Sequence, residues 1–149
     1  MMRLVFHALA VSGAAMYAGV LLAVGVVLGG YWRSLSAAEF LASFASTLPF
    51  VGRVVPLVML PTLVGLAGSL WLGRGDRGAR ALWLGAAACV AALLVMTVAW
   101  FGPTNGRFVA RALPADQVTA TRDAWLLLHN ARVALAAAAS VLGLLAARR

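Results

Sequence analysis

The sequence predicts an all-α membrane protein: an antiparallel bundle of four transmembrane helices, with a short amphipathic helix between the first two spans. Composition is the first observation behind this prediction, because 64% of the 149 residues are hydrophobic and only 11% are charged. The mean hydropathy of +0.97 is typical of integral membrane proteins. The second observation is four apolar runs, each close to the roughly 20 residues that a bilayer-spanning helix needs. Short connections between the runs favour one domain over residues 1–149.

The first span is predicted over about residues 4–28, directly after Met1-Met2-Arg3. This run is longer than the apolar segment of about 7 to 15 residues in a cleaved signal peptide, so we expect it to remain as a helix. His7 lies near its amino end, where an interfacial histidine is the simplest interpretation.

A capping box predicts the start of the short amphipathic helix, because Ser36 is followed three residues later by Glu39. This helix is expected to lie along the outer membrane surface. The second span is predicted over about residues 49–72. Pro56 and Pro61 lie inside it and should bend the helix, because proline has no backbone N–H to donate.

The third span is predicted over about residues 81–101, ending at Gly102-Pro103. The following residues, Thr104 and Asn105, are expected to form a corner outside the helix. The fourth span is predicted over about residues 120–146. Its helix opens near Ala115, so its first turns should project into water.

Charge orients the predicted bundle. All twelve basic residues are arginines, and four acidic residues oppose them, which gives a formal charge of +8. The arginines are scattered over the connections and no soluble basic module holds them, so we exclude nucleic acid as a partner. Basic residues are enriched in cytoplasmic loops, and the preference here is six against four. We therefore expect a multi-pass protein of the cell inner (plasma) membrane with both termini cytoplasmic, because one side carries Arg3, Arg74, Arg77, Arg80, Arg148 and Arg149 and the other carries Arg33, Arg107, Arg111 and Arg122.

Polar side chains recur along one face of the fourth helix. Trp125, His129 and Arg132 are spaced by four and then three residues, which places them on the same face. Bulky leucines fall on the other faces and are expected to meet lipid: Leu126, Leu127 and Leu135. Extended at the same spacing, the inward stripe contains Val118, Arg122, Trp125, His129, Arg132, Ala136, Ala139 and Gly143.

An arginine at the centre of a membrane helix costs about 2.5 to 3.5 kcal/mol on insertion scales, so such residues usually face a bundle interior and mark a functional site. In the predicted topology, Arg53 at the start of span two and the corner at Thr104 and Asn105 lie at the same membrane face as His129 and Arg132. We therefore predict one pocket near the non-cytoplasmic face.

Histidine and cysteine numbers bear on cofactors. His7 is expected at the opposite face from His129, which argues against a haem held by both. With two histidines, one cysteine and no buried carboxylate expected, a zinc or dinuclear metal site lacks ligands. The sequence therefore predicts no metal and no cofactor.

The sequence resembles the anthrone oxygenase family of small four-helix membrane proteins. The resemblance rests on the Gly- and Ala-rich stretch from Ser12 to Gly19, the Pro103-Thr104-Asn105 motif, and the pattern Trp125-x3-His129-x2-Arg132. It covers essentially the whole chain, and the last two motifs are the specific ones. The resemblance implies oxygenation of an activated phenolic or anthrone-like ring carbon by O2.

The residues permit this chemistry. A ring that ionises can pass an electron to O2, and this needs a base, a positive charge and a flat apolar wall. His129 is the candidate base. Arg132 and Arg53 would stabilise the oxyanion, Asn105 with Thr104 would fix a ring oxygen, and Trp125 would stack on the ring.

Other interpretations stay open from the sequence. His129, Arg132 and Asn105 could serve only as hydrogen-bonding groups that fix helix contacts. The chain could be a quinone- or lipid-binding module, a non-catalytic subunit of a membrane complex, or a homo-oligomer. A closed cavity would favour an enzyme, an opening to lipid would favour a quinone or another membrane-dissolved aromatic, and a flat polar groove would favour a protein partner.

Overall fold

A computed structural model of the chain describes residues 1–73 and 75–149, and all regular structure within them is helical. Arg74, whose charge contributes to the predicted orientation, lies outside the described residues. The four long helices are each long and apolar enough to cross a membrane, which confirms the predicted fold class of a multi-pass, all-α membrane protein. Their bounds are α1 Met2–Arg33, α2 Ala37–Leu72, α3 Arg77–Val109 and α4 Ala115–Ala147.

The predicted amphipathic helix is not a separate element. The capping box forms as expected, with the Ser36 N–H donating to the Glu39 carboxylate over 2.9 Å. The helix that it starts continues without a break through Pro49 to the end of α2. The early turns do not lie on a surface, because Phe40 and Phe44 are buried against the rest of the bundle. The prediction of a separate helix was wrong because burial of these rings outweighs the single backbone hydrogen bond lost at the proline.

The third helix also extends further than predicted. It does not end at Gly102-Pro103, because a wide π-helical turn over Thr97–Phe101 leads into another helical segment, Gly102–Val109. In this turn the Gly102 N–H bonds to the Thr97 carbonyl. Pro103 is tolerated because it lies in the first turn of the following segment, where a missing N–H costs little. The predicted corner is therefore part of a helix.

α1 is the helix around which the bundle packs. It runs along both α2 and α4, α3 runs along α4, and α2 and α3 touch each other only sparingly. Glycines allow the close contacts. A Cβ on Gly65 would collide with the backbone of Ala10, and one on Gly13 would collide with Thr62. Close backbone approach at small residues is how membrane helices gain packing energy when lipid offers no hydrophobic driving force.

The predicted inward stripe of α4 is buried along its whole length. Leu127 is 70% exposed, as predicted for a side chain facing lipid. Leu126 is only 3% exposed, so its predicted lipid-facing position was wrong. The reason is that α4 packs against α1 as well as α3, which buries a wider arc than one stripe, and Leu126 lies against Gly29 of α1.

The core has two parts. The half that holds the termini is filled mainly by aliphatic side chains around Trp83. The other half, which we call the distal half, contains an aromatic cluster in which most rings meet edge to face. The aromatic cluster consists of Trp32, Phe40, Phe44, Phe101, Phe108 and Trp125.

Gly65 provides a test of the close α1–α2 contact. Gly65→Ala should lower the free energy of unfolding by about 1–3 kcal/mol, because the added methyl group has to push the two backbones apart. Thermal unfolding followed by circular dichroism in a mild detergent measures this. Gly19→Ala is the matched control, since a Cβ at Gly19 meets nothing within 4 Å. Equal stability of the two variants would contradict the packing described here.

Candidate functional site

A cavity of about 300 Å³ lies in the distal half of the bundle and is lined by residues of all four long helices. Most of its wall is aliphatic or aromatic, so the polar side chains that reach it stand out. Tyr17 comes from α1, Thr97 and Asn105 from α3, and His129 and Arg132 from α4. The apolar lining is Val20, Leu21, Val24, Leu48, Val51, Gly52, Val55, Pro56, Met59, Leu94, Phe101 and Trp125.

The α4 side of the cavity is built by the spacing noted in the sequence. The Trp125 and His129 rings stack with centroids 4.8 Å apart and planes inclined by 10°. The Trp125 indole N–H donates to the Asn105 side-chain oxygen over 2.9 Å. Trp125 is therefore held from α3, and it fixes one face of the imidazole in turn.

His129 has one nitrogen with a partner and one without. Its Nε2 lies 2.8 Å from the Leu21 carbonyl oxygen of α1. A carbonyl oxygen only accepts, so Nε2 carries the proton of this bond. In the neutral ring, Nδ1 then holds a lone pair, and this atom is buried without a hydrogen-bond partner among the described residues. Gly25 permits this arrangement, because a Cβ there would lie 3.1 Å from the His129 Cδ2.

Arg132 is a buried cation at 8% exposure. One guanidinium nitrogen donates to the Tyr17 hydroxyl oxygen over 2.9 Å, and the group lies 4.2 Å above the centre of the Phe101 ring. Its Nε has no hydrogen-bond partner in the described part of the chain.

No carboxylate balances the charge of Arg132. All four acidic residues of the chain are described, and the one ion pair formed by described residues joins Arg122 to Asp123. Glu39 and Asp76 cap the starts of α2 and α3, and Asp116 is in the exposed first turn of α4. A buried cation without a counter-ion favours an anionic ligand.

Two predicted site residues do not reach the cavity. Arg53 is exposed on α2, and its guanidinium lies 5.7 Å from the centre of its neighbour's ring, Phe50. Thr104 is buried but faces the first turns of α4, near Gln117. Successive residues of a helix point about 100° apart, so Asn105 reaches the cavity and Thr104 does not. A corner, as predicted from the sequence, would have allowed both to reach it.

Tyr17 and Phe101 are cavity residues that the sequence did not single out as functional. Tyr17 is 3% exposed, and its hydroxyl is the only protein acceptor that Arg132 has among the described residues. A signal for it existed, because Tyr17 is the one hydrogen-bonding aromatic side chain in the Gly- and Ala-rich stretch of α1. Phe101 carried no such signal, since an apolar ring at the end of a span is usual.

Arg122 lies on the same inward stripe of α4 but does not line the cavity. Its guanidinium donates to the carbonyl oxygens of Trp32 and Leu35 over 2.9 and 3.1 Å. These carbonyls belong to the end of α1 and the connection to α2, where helical donors run out. Arg122 therefore joins three parts of the fold above the aromatic cluster rather than lining the cavity.

The two histidines lie in different halves of the bundle. The His7 ring packs against Trp83 at 4.9 Å in the half that holds the termini, whereas His129 packs against Trp125. Within residues 1–73 and 75–149, no three His, Cys, Asp or Glu side chains come together.

The exposure of the lining residues shows on which side the cavity opens. Its lining residues on α4 are buried, and those on α1 are buried or half-buried. The exposed lining residues are Gly52 and Pro56 on α2 and Leu94 on α3. The opening therefore lies between α2 and α3, where the two helices pack least.

The chain is similar to one family of known proteins. A family model described as anthrone oxygenase matches residues 50–142, which is more than half of the chain. The match includes Asn105, Trp125, His129 and Arg132. No curated protein and no solved structure matches the chain. The length of the family match shows that this chain belongs to the anthrone oxygenase family.

Proposed function

We propose that the protein is an O2-dependent oxygenase that acts on an anthrone-like or phenolic aromatic in the distal cavity. One observation carries the proposal: His129 and Arg132 line the same apolar cavity, and each has one buried nitrogen without a hydrogen-bond partner among the described residues. Buried polar groups without partners are costly, so a ligand that supplies a proton donor and a negative charge would complete the site.

His129 is the proposed base. Its Nε2–H is held by the Leu21 carbonyl, which leaves the Nδ1 lone pair to take a proton from the reacting ring carbon. In an anthrone-like ring this carbon is a CH2 group opposite a carbonyl. Loss of the proton moves negative charge onto that carbonyl oxygen and makes the ring an electron donor.

Arg132 and Tyr17 are the proposed partners of the oxygen anion. The guanidinium supplies the charge, and the Tyr17 hydroxyl accepts from it and so keeps its own O–H for the ligand. Asn105 uses its side-chain oxygen to hold Trp125, which leaves its NH2 group to donate to a ring oxygen. The Trp125 and Phe101 rings provide the flat apolar wall.

The reaction balances with O2 as the oxidant. The ring anion gives one electron to O2, and the two resulting radicals combine to form a carbon–oxygen bond. His129 returns the first proton to the outer oxygen, and its neutral imidazole then takes the second hydrogen of the carbon as a proton. The O–O bond breaks as this C–H bond is lost, and the outer oxygen leaves as hydroxide, which combines with the second proton to form water. The CH2 group becomes a carbonyl, and O2 supplies one oxygen to the product and one to water. We propose that these side chains act without a cofactor or metal.

A quinone-binding module is the second candidate. The opening between α2 and α3 favours it, because quinones are membrane-dissolved and would use the same tryptophan, histidine and arginine. Mass spectrometry of small molecules that copurify in mild detergent separates the two, because a membrane quinone with a long hydrocarbon tail supports the carrier, whereas an anthrone-like ring or its quinone product supports the oxygenase. A copurifying protein in fixed ratio would instead support a subunit role.

The orientation forms part of the proposal. We propose that the protein lies in the plasma membrane with both termini cytoplasmic, so that the distal cavity is near the non-cytoplasmic face. The arginine excess beside the termini supports this.

Reporter fusions check the orientation. A reporter fused after Arg149 should be active when it is of a cytoplasmic type and silent when it requires export. The same reporters inserted at Ala112, in the connection between α3 and α4, should give the opposite pattern. The reversed pair of results would put the cavity near the cytoplasmic face.

Substitution of the base and the cation tests the mechanism. His129→Ala and Arg132→Ala should each lower kcat/KM for anthrone by at least about 100-fold, because each removes a partner of the developing anion. The double variant should be little worse than either single variant, since the two groups act together. Asn105→Ala should cost about tenfold, the effect of one lost hydrogen bond. Oxygen consumption with anthrone in proteoliposomes measures all four variants.

Leu127→Ala is the control for these variants. Leu127 is on the same helix and faces outward, so kcat/KM should stay within about twofold of the wild type. Thermal unfolding in detergent must accompany the assays. If His129→Ala and Arg132→Ala keep full turnover but unfold at lower temperature, these residues serve packing and the oxygenase mechanism fails.

Tyr17→Phe tests the role that only the structure indicates. This substitution keeps the aromatic ring and removes the hydroxyl group. The kcat/KM for anthrone should therefore fall about tenfold, the effect of losing one hydrogen bond to a charged group. Tyr31→Phe is the matched control, because Tyr31 is 54% exposed and lies outside the cavity. An unchanged kcat/KM for Tyr17→Phe would remove Tyr17 from the anion site.

A further inference from the structure

We infer that the ligand reaches the cavity from the hydrocarbon of the bilayer, through the gap that Gly52, Pro56 and Leu94 form between α2 and α3. We call this gap the lateral mouth. The inference rests on the proposed function for the identity of the substrate. The route itself stands on the geometry of α2 and α3.

Exposure defines the mouth. Gly52, Pro56 and Leu94 are the cavity-lining residues that are exposed, and they belong to the two neighbouring helices that pack least against each other. Across the cavity, Leu21, His129 and Arg132 are buried on helices that pack closely. A ligand therefore meets an opening on one side and a closed wall on the other.

The local sequence keeps the mouth open. Gly52 has no side chain, and a Cβ there would meet nothing within 4 Å. Pro56 has no N–H, so the carbonyl of Gly52, four residues earlier, lacks its ordinary helical donor. In hydrocarbon such a carbonyl favours a hydrogen-bond donor on a ligand, and a phenolic hydroxyl is such a donor.

The mouth faces lipid rather than water. α3 has 33 residues and is therefore about 50 Å long, whereas the hydrocarbon core is about 30 Å thick. Leu94 is close to the middle of this helix. It therefore lies within the hydrocarbon whichever stretch of about 30 Å of the helix spans the core. Val98, one turn further on, is 76% exposed and faces the same apolar surroundings.

This route specifies the substrate more closely. An ion does not cross hydrocarbon readily, so the molecule that enters must be the neutral, apolar form of a fused-ring aromatic. It becomes an anion only inside, where His129 can take the proton and Arg132 balances the charge. O2 also dissolves better in hydrocarbon than in water, so both reactants can arrive from the same phase.

Spin labelling tests the route without a substrate. A nitroxide on Leu94→Cys, in a Cys89→Ser background, should collide far more often with O2 than with a water-soluble nickel complex in proteoliposomes. Leu127→Cys provides the lipid-facing reference, because Leu127 is 70% exposed on the outer face of α4. Dominant collisions with the nickel complex at position 94 would make the mouth a water channel and overturn the inference. This result does not depend on oxygenase activity.

Blocking the mouth tests its use. Gly52→Phe should slow the association of anthrone under anaerobic conditions at least tenfold, and should slow oxygen consumption at low anthrone concentration by a similar factor. Gly19→Phe is the matched control and should leave both rates unchanged, since Gly19 is exposed, has equal space around it and is not part of the cavity. Unchanged association in Gly52→Phe, or equal slowing in both variants, would overturn the route. Normal anaerobic association without oxygen consumption in the wild type would instead contradict only the oxygenase proposal.

Discussion

Hydrocarbon offers no hydrogen bonds, and this constraint governs the whole protein. Polar side chains inside the bundle therefore depend on partners from the protein. Thr62 and Thr97 donate to carbonyls of their own helices, and Arg122 holds the connection between α1 and α2. Within the described residues, His7, Ser69, His129 and Arg132 each keep one buried polar atom without a partner, and of these four only His129 and Arg132 line the distal cavity. A buried polar group without a partner is costly, so these two side chains are the candidates for contact with a ligand.

Hydrogen bonds from neighbouring helices hold these side chains in place. His129 is held through the Leu21 carbonyl of α1, and Arg132 through the Tyr17 hydroxyl of the same helix. Trp125 is held through Asn105 of α3. Each of these α4 side chains therefore forms its hydrogen bond with a neighbouring helix rather than with its own. The arrangement requires α1, α3 and α4 to pack correctly. The close glycine contacts of α1 support this arrangement, although they lie outside the cavity.

Irregular backbone accompanies the cavity. Wide π-helical turns occur at Val24–Leu28 in α1 and Thr97–Phe101 in α3, and residues of both turns line the cavity. Pro56 interrupts the hydrogen bonding of α2 at the lateral mouth. A wide turn adds one residue without changing the direction of the helix, so it can rotate the following side chains into new positions. The distal half combines these turns with an aromatic cluster, whereas regular helices and aliphatic packing fill the half with the termini.

The sequence by itself determined the class of the protein, the four apolar helices and the face of α4 that carries Trp125, His129 and Arg132. These follow from composition and helical period, which are local properties. Only the tertiary structure decided how far the helices extend, because the burial of Phe40 and Phe44 carries α2 through Pro49, and a wide turn carries α3 past Pro103. The same contacts direct Asn105 into the cavity and Arg53 and Thr104 away from it, and they bring Tyr17 to Arg132 across 115 positions of sequence. Such pairings depend on the rotation of one helix against another, which the period of a single helix does not specify.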